Sequence, residues 1–316
     1  MKYNTILLTG DRKASKSVFG MNKALIELNG TPLFMHVLSA LQDVEGIDNI
    51  YIVGPKSKID EILERGKGGF KKNIVVVEQR DNLYENIWHT FLSTLSSPSH
   101  PSGDDIDKAV FVVAGDIPLI TPFEIKEFLS KSDIENYDYC IGMTPESVLR
   151  YYYPSDGKPG IKLAYLNLKE SKYRVSNLHL VKPFKISNRE YIEKVYEYRY
   201  QKEARNIVKL TLEIIRKHAG FESLLFYICV QMSLFLSHIH LEFLSRFFRQ
   251  FVPIGLAERI VSNVLKTRLK LIETSFGGAA LDVDNERDFN AIKVMYQEWM
   301  EYQRKKNSNN QAPITK

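Results

Sequence analysis

Cysteine is scarce in this chain: it occurs twice in 316 residues, as Cys140 and Cys229, each inside an apolar run. Two cysteines so placed build no disulfide framework and match no zinc spacing, so a reducing cytoplasm is the default expectation. Long hydrophobic runs are missing too. The longest nearly apolar stretch, Leu224 to Leu236, contains Gln231 and Ser233 and falls short of the ~20 residues a spanning helix needs. Residues 1–9 hold a single Lys and a short apolar run that turns at Thr9-Gly10, too short for a signal peptide and better read as a first strand. Charge of one sign is also modest. A net charge of +5 suits phosphorylated small molecules but is too small and too scattered to argue for nucleic acid. Neither a Gly-x-Gly-x-x-Gly fingerprint nor a Gly-Lys-Ser/Thr helix opening is present, which removes the common dinucleotide and P-loop patterns. There is no internal repeat.

What is present is an alternation of buried strands and helices. Val110-Phe-Val-Val-Ala-Gly-Asp116 runs without polar alternation, as a strand buried on both faces of a parallel sheet does. Tyr3 to Thr9, Ile50 to Val53, Ile74 to Val77 and Tyr137 to Met143 read as its companions. Helices follow at Thr31-Pro32, at Ser57 to Asp60 in capping-box style, at Asn82 to Phe91 and at Thr121-Pro122. Repeated strand–helix units predict an α/β fold with a mostly parallel sheet. Ile161 to Leu168 and Tyr173 to Val181 then alternate like a meander. Asn188 to about Thr267 reads as helix almost without a break. Arg268 to Thr274 and Ala279 to Val283 return to strand character, and an amphipathic helix with Phe289, Ile292, Met295, Tyr296 and Trp299 inward closes the fold. The expected organisation is one sheet domain, 1–182 and 268–303, interrupted by a helical insertion, 183–267, with a disordered tail, 304–316.

Three stretches can carry chemistry. The loop from Gly10 to Lys23 is long for a strand-to-helix connection and holds four basic residues, among them Arg12. Backbone N–H groups, an Arg fork and a mobile Lys suit a polyphosphate, whereas the plainer alternative is a solvated basic loop. Asp116 ends a buried strand at the edge where open α/β sheets bind ligands; its plainer use is to cap the next helix. That helix, however, has its own start signal at Thr121-Pro122. In Leu281-Asp-Val-Asp284-Asn285, alternate residues of a strand would put Asp282 and Asp284 on one face, a pairing that suits a hard divalent cation such as Mg2+. Asp284 or Asn285 can equally cap the last helix.

The segments Leu7-Leu-Thr-Gly10-Asp-Arg12, Lys23-Ala-Leu-Ile-Glu-Leu-Asn-Gly30-Thr-Pro32-Leu, Val113-Ala-Gly-Asp116-Ile-Pro118 and Asp282-Val-Asp284-Asn-Glu-Arg-Asp288-Phe, taken in order, resemble the MobA-like NTP transferases. That resemblance implies a Rossmann-like, GT-A-like nucleotidyltransferase fold. It also implies transfer of a nucleoside monophosphate from an NTP to a phosphorylated small molecule such as a sugar phosphate, with release of pyrophosphate. Gly10 and Arg12 would hold the triphosphate, with Thr9 and Asp11 also in the nucleotide-binding set, and Lys23 would meet the α-phosphate. Asp116 and Asp284, with Asp282, would hold Mg2+. Asn82 and Asn86 lie where the family contacts base or ribose. Lys162, Arg174, Ser176 and Asn177 lie where a second substrate binds. The chain departs at Asp11, where the family commonly has a small residue, so base preference does not carry over. A GT-A-type glycosyltransferase is the alternative on the same fold, disfavoured by Lys23. A non-catalytic nucleotide-binding or membrane-surface protein derived from the family is the third.

Residues 221–252 combine an apolar helix with an amphipathic one carrying Glu242, Arg246 and Arg249. They can cap the site, form a homodimer or lie on the inner face of a membrane, helped there by Arg216 and Lys217. His238 and His240, two apart on a helix, would face different ways and make no metal site.

Overall fold

The computed structural model describes residues 1–11, 17–66, 69–192, 194 and 220–311. Arg12, most of the stretch before Gly220, including Arg216 and Lys217, and residues 312–316 lie outside the described residues. The core is an eight-stranded sheet. In chain order its strands are β1 (Tyr3–Leu8), β4 (Ile47–Gly54), β5 (Ile74–Glu78), β6 (Val110–Ala114), β7 (Tyr139–Pro145), β8 (Leu166–Asn167), β9 (Lys172–Val181) and β10 (Leu269–Glu273). They lie in the order β10-β7-β9-β6-β1-β4-β5, with β8 paired to β9. β9 runs antiparallel between β6 and β7, and the neighbours β1, β4, β5 and β6 are mutually parallel. This is the α/β, mostly parallel mixed sheet expected from the alternation. β10 joins the sheet only after the helical stretch, beside β7.

The opening strand of the sequence argument, β6, is buried on both faces. Phe111 and Val113 pack with Phe34 and Phe128 on one side, and Val110 and Val112 pack with Ile6 and Phe91 on the other. Each side chain buried in full contributes ~1.5–3 kcal/mol, which is what holds this strand in the sheet centre. The helices are α1 (Leu33–Gln42), α2 (Lys56–Arg65), α3 (Leu83–Ser93), α4 (Pro122–Lys131) and the short α5 (Glu146–Leu149). After β9 come α6 (Gly220–His238), α7 (Glu242–Arg249) and α8 (Ile254–Leu265), and after β10 the long α9 (Glu286–Gln311).

Several local expectations give way to tertiary partners. Thr31 and Pro32 do not open α1; they form β3, paired with β2 (Glu27–Leu28), and the Leu33 N–H bonds to the Ile26 carbonyl at 2.9 Å. Helix α2 starts at Lys56, ahead of Ser57, because the Glu78 carboxylate accepts the Lys56 N–H at 3.2 Å. The first half of the meander shortens to β8, since Ile161 is drawn into a cluster with Tyr152 and Trp299. Ala279 to Val283 is not a strand: Gly278–Ala280 is a 3-10 turn and the chain then runs extended without a ladder. Helix α9 buries Phe289, Ile292, Met295 and Trp299 as expected, with Tyr296 packed beside them. It continues through Gln311, past Arg304, where a disordered tail was expected.

From Gly220 to Leu265 the chain is mostly helical. α6 and α7 meet at Ser233 and Ser245, whose hydroxyls lie 3.1 Å apart, and Asn167 of β8 donates to the Ser233 hydroxyl at 3.2 Å. Phe243 is 85% exposed, and Phe235 and Phe247 are exposed beside it. His240 lies beyond the end of α6 with φ of 62°, so the two histidines do not share a helix. Among the described residues, no helix is long and apolar enough to cross a membrane.

Candidate active site

The parallel strands β1 and β6 end level with each other, Leu8 opposite Ala114. The Gly115 N–H then bonds to the Leu8 carbonyl at 2.8 Å. A Cβ at position 115 would stand 2.8 Å from that oxygen, so only glycine lets the two strand ends lie so close. Asp116 follows immediately and is aimed over the C-terminal edge of the sheet. The Thr9 N–H and hydroxyl both bond to the Val53 carbonyl, at 2.9 Å each, fixing the start of the first loop one strand over.

Lys23 arrives from the far end of that loop, in a 3-10 turn capped by Asn22. The Asn22 side chain is itself tied to the Thr9 carbonyl at 2.8 Å, so both ends of the loop are pinned together. The third component comes from the other end of the chain. The Val283 N–H bonds to the Asp116 carbonyl at 3.0 Å and docks Asp282 and Asp284 beside the strand end.

These docked segments bring three charges to one point. Lys23 Nζ lies 3.0 Å from Asp284 Oδ1 and 3.4 Å from Asp116 Oδ2. The side chains of Lys23, Asp116 and Asp284 are 10%, 21% and 42% exposed, a gradient leading out from the strand ends. Burial alone would lower the Lys23 pKa, but Asp116 and Asp284 outweigh it and hold the ammonium above its usual range. Burial pushes the Asp116 carboxyl up to about 6, with Lys23 pulling against it and Asp282 and Asp284 adding to the rise. An acid so strained by its surroundings gains from any further cation placed there.

The three residues line a cleft of about 250 Å³, which also takes in Thr9, Gly10 and Asn86. A buried, charged centre at the carboxyl ends of parallel strands, on a sheet with one antiparallel member, is decided by its sequence match. The family model for the MobA-like NTP transferase domain matches residues 6–218.

The chain belongs to the MobA-like NTP transferase family.

Its curated relatives are similar over part of their length. A 2-C-methyl-D-erythritol 4-phosphate cytidylyltransferase from Chlorobium luteolum is 26% identical over 147 residues, 46% of this chain and 60% of that protein. A probable molybdenum cofactor guanylyltransferase from Thermococcus sibiricus is 29% identical over 136 residues, 43% of this chain and 59% of that protein. The chain thus spans about 60% of the length of the curated relatives it matches. Among solved structures, a hypothetical transferase from Thermus thermophilus superposes with a TM-score of 0.59, covering 92% of this chain and all of the neighbour at 20% identity, a likeness of fold. The family match ends before Asp282 and Asp284, so their part in the centre rests on the docking through Val283.

The residues singled out in the sequence divide in three. Lys23, Asp116 and Asp284 converge, with Thr9, Gly10 and Asn86 in the same cleft. Asp282 lines the cleft too, but Arg174 Nη2 takes its carboxylate at 2.6 Å, while Arg174 Nε holds the Ala280 carbonyl at 2.8 Å. Its neighbourhood with Asp284 comes from this clamp and not from strand alternation. Asn82 is used as the α3 cap, accepting the Glu85 N–H at 2.8 Å, and does not line the cleft. Asn285, not Asp284, accepts the Asp288 N–H at the start of α9, at 3.0 Å. On β9, Asn177 donates to the Ala279 carbonyl at 3.1 Å, Ser176 is buried with no partner for its hydroxyl among the described residues, and Lys162 is exposed on a loop.

Two side chains that the sequence did not mark also shape the centre. Gln79 accepts the Asp11 N–H at 2.8 Å and donates to the Asp11 carboxylate at 2.7 Å, a two-bond clasp between the first loop and the end of β5. Glu124, fully buried in α4, accepts the N–H groups of Gly277 and Ala279 at 3.1 and 2.9 Å and so carries the turn leading to Asp282.

The donor set fits a hard divalent cation. Two carboxylate oxygens of Asp116 and Asp284 already surround one cationic atom, the Lys23 nitrogen. Among the described residues no third His, Cys, Asp or Glu gathers with them into a closed metal cage. Mg2+ commonly binds through one or two carboxylates, completing its shell with water and substrate phosphate.

Proposed function

We propose that the protein is a Mg2+-dependent nucleotidyltransferase of the cytoplasm. It would transfer a nucleoside monophosphate from an NTP to a phosphorylated small molecule and release pyrophosphate. The observation that carries this reading is the convergence of Lys23, Asp116 and Asp284, from three distant parts of the chain, at the carboxyl edge of the sheet. The family and its cytidylyltransferase and guanylyltransferase relatives support the reaction class.

An acceptor phosphate oxygen attacks the α-phosphorus in line. The new P–O bond forms as the bond to the bridging oxygen breaks, and pyrophosphate carries the electron pair away. Such a displacement asks for positioning and charge neutralisation and for no covalent help from a side chain. Mg2+, held by Asp116 and Asp284, would neutralise phosphate charge. Lys23, kept cationic by its two carboxylates, leaves them for the α-phosphate when substrate enters. Gly10 presents its backbone N–H to the polyphosphate beside the Asp11–Gln79 clasp, and Asn86 stands at the ribose or base.

Pyrophosphate release across a panel of NTPs and phosphorylated acceptors tests the reading directly. Asp116→Asn is expected to lower turnover at least ~100-fold, the scale of removing a key electrostatic contact, with the melting temperature little changed. Retained wild-type turnover in that variant would sink the metal assignment.

For the insertion, the exposed Phe235, Phe243 and Phe247 are compatible with contact to a membrane surface or with a homodimer. Flotation with anionic vesicles against sedimentation of the free protein separates the two, with Phe243→Glu plus Phe247→Glu as the variant that should abolish whichever occurs.

A further inference from the structure

The cleft does not stop at its charged centre. It continues over the sheet face, bounded by α3 and by the chain that follows β9, and there its walls change character. Trp88 from α3, Tyr139 from β7, Val181 from β9, and Pro183, Ile186 and Ile192 beyond it line this second lobe. Some of its polar groups engage one another. His179 Nδ1 lies 3.0 Å from the Tyr139 hydroxyl, and burial lowers its pKa to about 4, which leaves the ring neutral at pH 7. The Arg189 guanidinium lies 4.0 Å over the Trp88 ring and donates to the Ile186 carbonyl at 2.8 Å and to the Tyr84 hydroxyl at 3.3 Å.

The walls of Trp88, Val181, Pro183, Ile186 and Ile192 favour an apolar group. Hydroxyls or amides buried without partners cost free energy, whereas an alkyl chain against such walls gains it. The polar end of the same cleft, with Lys23, suits a phosphate. A single continuous cavity, ionic at one end and apolar at the other, matches an amphiphile laid along it.

We propose that the apolar lobe is the tail site of the acceptor, and that the acceptor is a phosphate monoester bearing an apolar chain. Its phosphate sits at the Lys23 end and its chain lies against Trp88. This rests on the transferase reading of the centre, but the two can fail separately.

The chain has two tryptophans, Trp88 in the lobe and Trp299 in the core, so intrinsic fluorescence reports on the lobe. Straight-chain alkyl phosphates from butyl to decyl, kept below micelle formation, are titrated in. Affinity should rise with length, by up to about fourfold per methylene and at least tenfold from butyl to octyl, with a change in Trp88 emission. Ile192→Phe, at the half-buried rim, should flatten the length dependence while butyl phosphate still binds. Phe243→Glu plus Phe247→Glu, on the exposed helices, should leave it intact.

A flat series in the unmodified protein overturns the proposal. So does a length dependence that vanishes only in the Phe243/Phe247 variant, which would locate binding on the outer helices. Displacement of octyl phosphate by an unphosphorylated nucleoside would make the lobe a base pocket and overturn it as well. Pyrophosphate release without length dependence would overturn the tail site and leave the transferase reading standing. Length-dependent binding without release from any NTP would overturn the assignment to an acceptor.

Discussion

Val283 donates its backbone N–H to the carbonyl of Asp116 at 3.0 Å, and this one bond joins the last part of the chain to the end of the central strand. It puts Asp282 and Asp284 on either side of a docked residue whose own side chain is fully buried. Val283→Pro deletes the donor. Turnover should fall ~100-fold or more, by loss of Asp284 from the centre. Val283→Ala keeps the bond and should cost only packing, ~1–3 kcal/mol by chemical denaturation. Equal kinetic damage in both variants would show that the bond itself does not matter.

Arg174 bridges two points of the same segment, Asp282 and the Ala280 carbonyl. Arg174→Lys keeps the charge but cannot reach both from one planar fork. It should lower kcat ~10-fold and raise the Mg2+ concentration needed for half-maximal rate. Full activity in the Lys variant would mean that charge, not geometry, is what Asp282 requires.

The Asp11–Gln79 clasp separates two substitutions that look alike. Asp11→Asn retains an oxygen to accept from Gln79 and leaves the backbone bond untouched, so kinetics should hardly change. Gln79→Glu removes the donor and opposes two carboxylates. It should raise the KM for NTP ~10-fold with a smaller effect on kcat, measured by steady-state pyrophosphate release.

Glu124 is buried, and burial raises its pKa from 4.5 to about 7 in spite of the N–H groups of Ala279 and Gly277 that favour its anion. Between those two pH values the folded state holds a proton that the unfolded state has lost. Stability must therefore fall as pH rises from about 4.5 to about 7, by on the order of 3 kcal/mol in full, and level off above. Glu124→Gln, which mimics the protonated acid, should flatten that slope in urea unfolding at pH 5, 6 and 8. An unchanged slope would assign the pH dependence to other groups.

Much of the framework could be read from the residues because the signals were continuous. Val110 to Val113 carries no polar interruption, so its burial on both faces followed from the run itself. Asp116 and Lys23 stood out because each ends or closes an identifiable local pattern. What escaped detection were polar partnerships across large separations: Asp11 with Gln79 at 68 residues, Arg174 with Asp282 at 108, and Glu124 with Gly277 at 153. No periodicity marks such pairs, since each member alone resembles a solvated surface residue. Thr31-Pro32 failed for the opposite reason. Its cap signal was sound, but pairing with Glu27 and Leu28 offered the same backbone a stronger partner.

The late return of β10 to the edge beside β7 bears on how the molecule is made. Synthesis supplies Lys23 and Asp116 early, while β10, the Glu124-held turn and Asp284 follow only after residues 183–267 have emerged. Contacts of such long sequence separation form slowly and last. A nascent chain can therefore have the lysine and the first carboxylate in place, yet lack the second carboxylate that balances them. Completion of the charge set is thus withheld until the segment that follows β10 has been made.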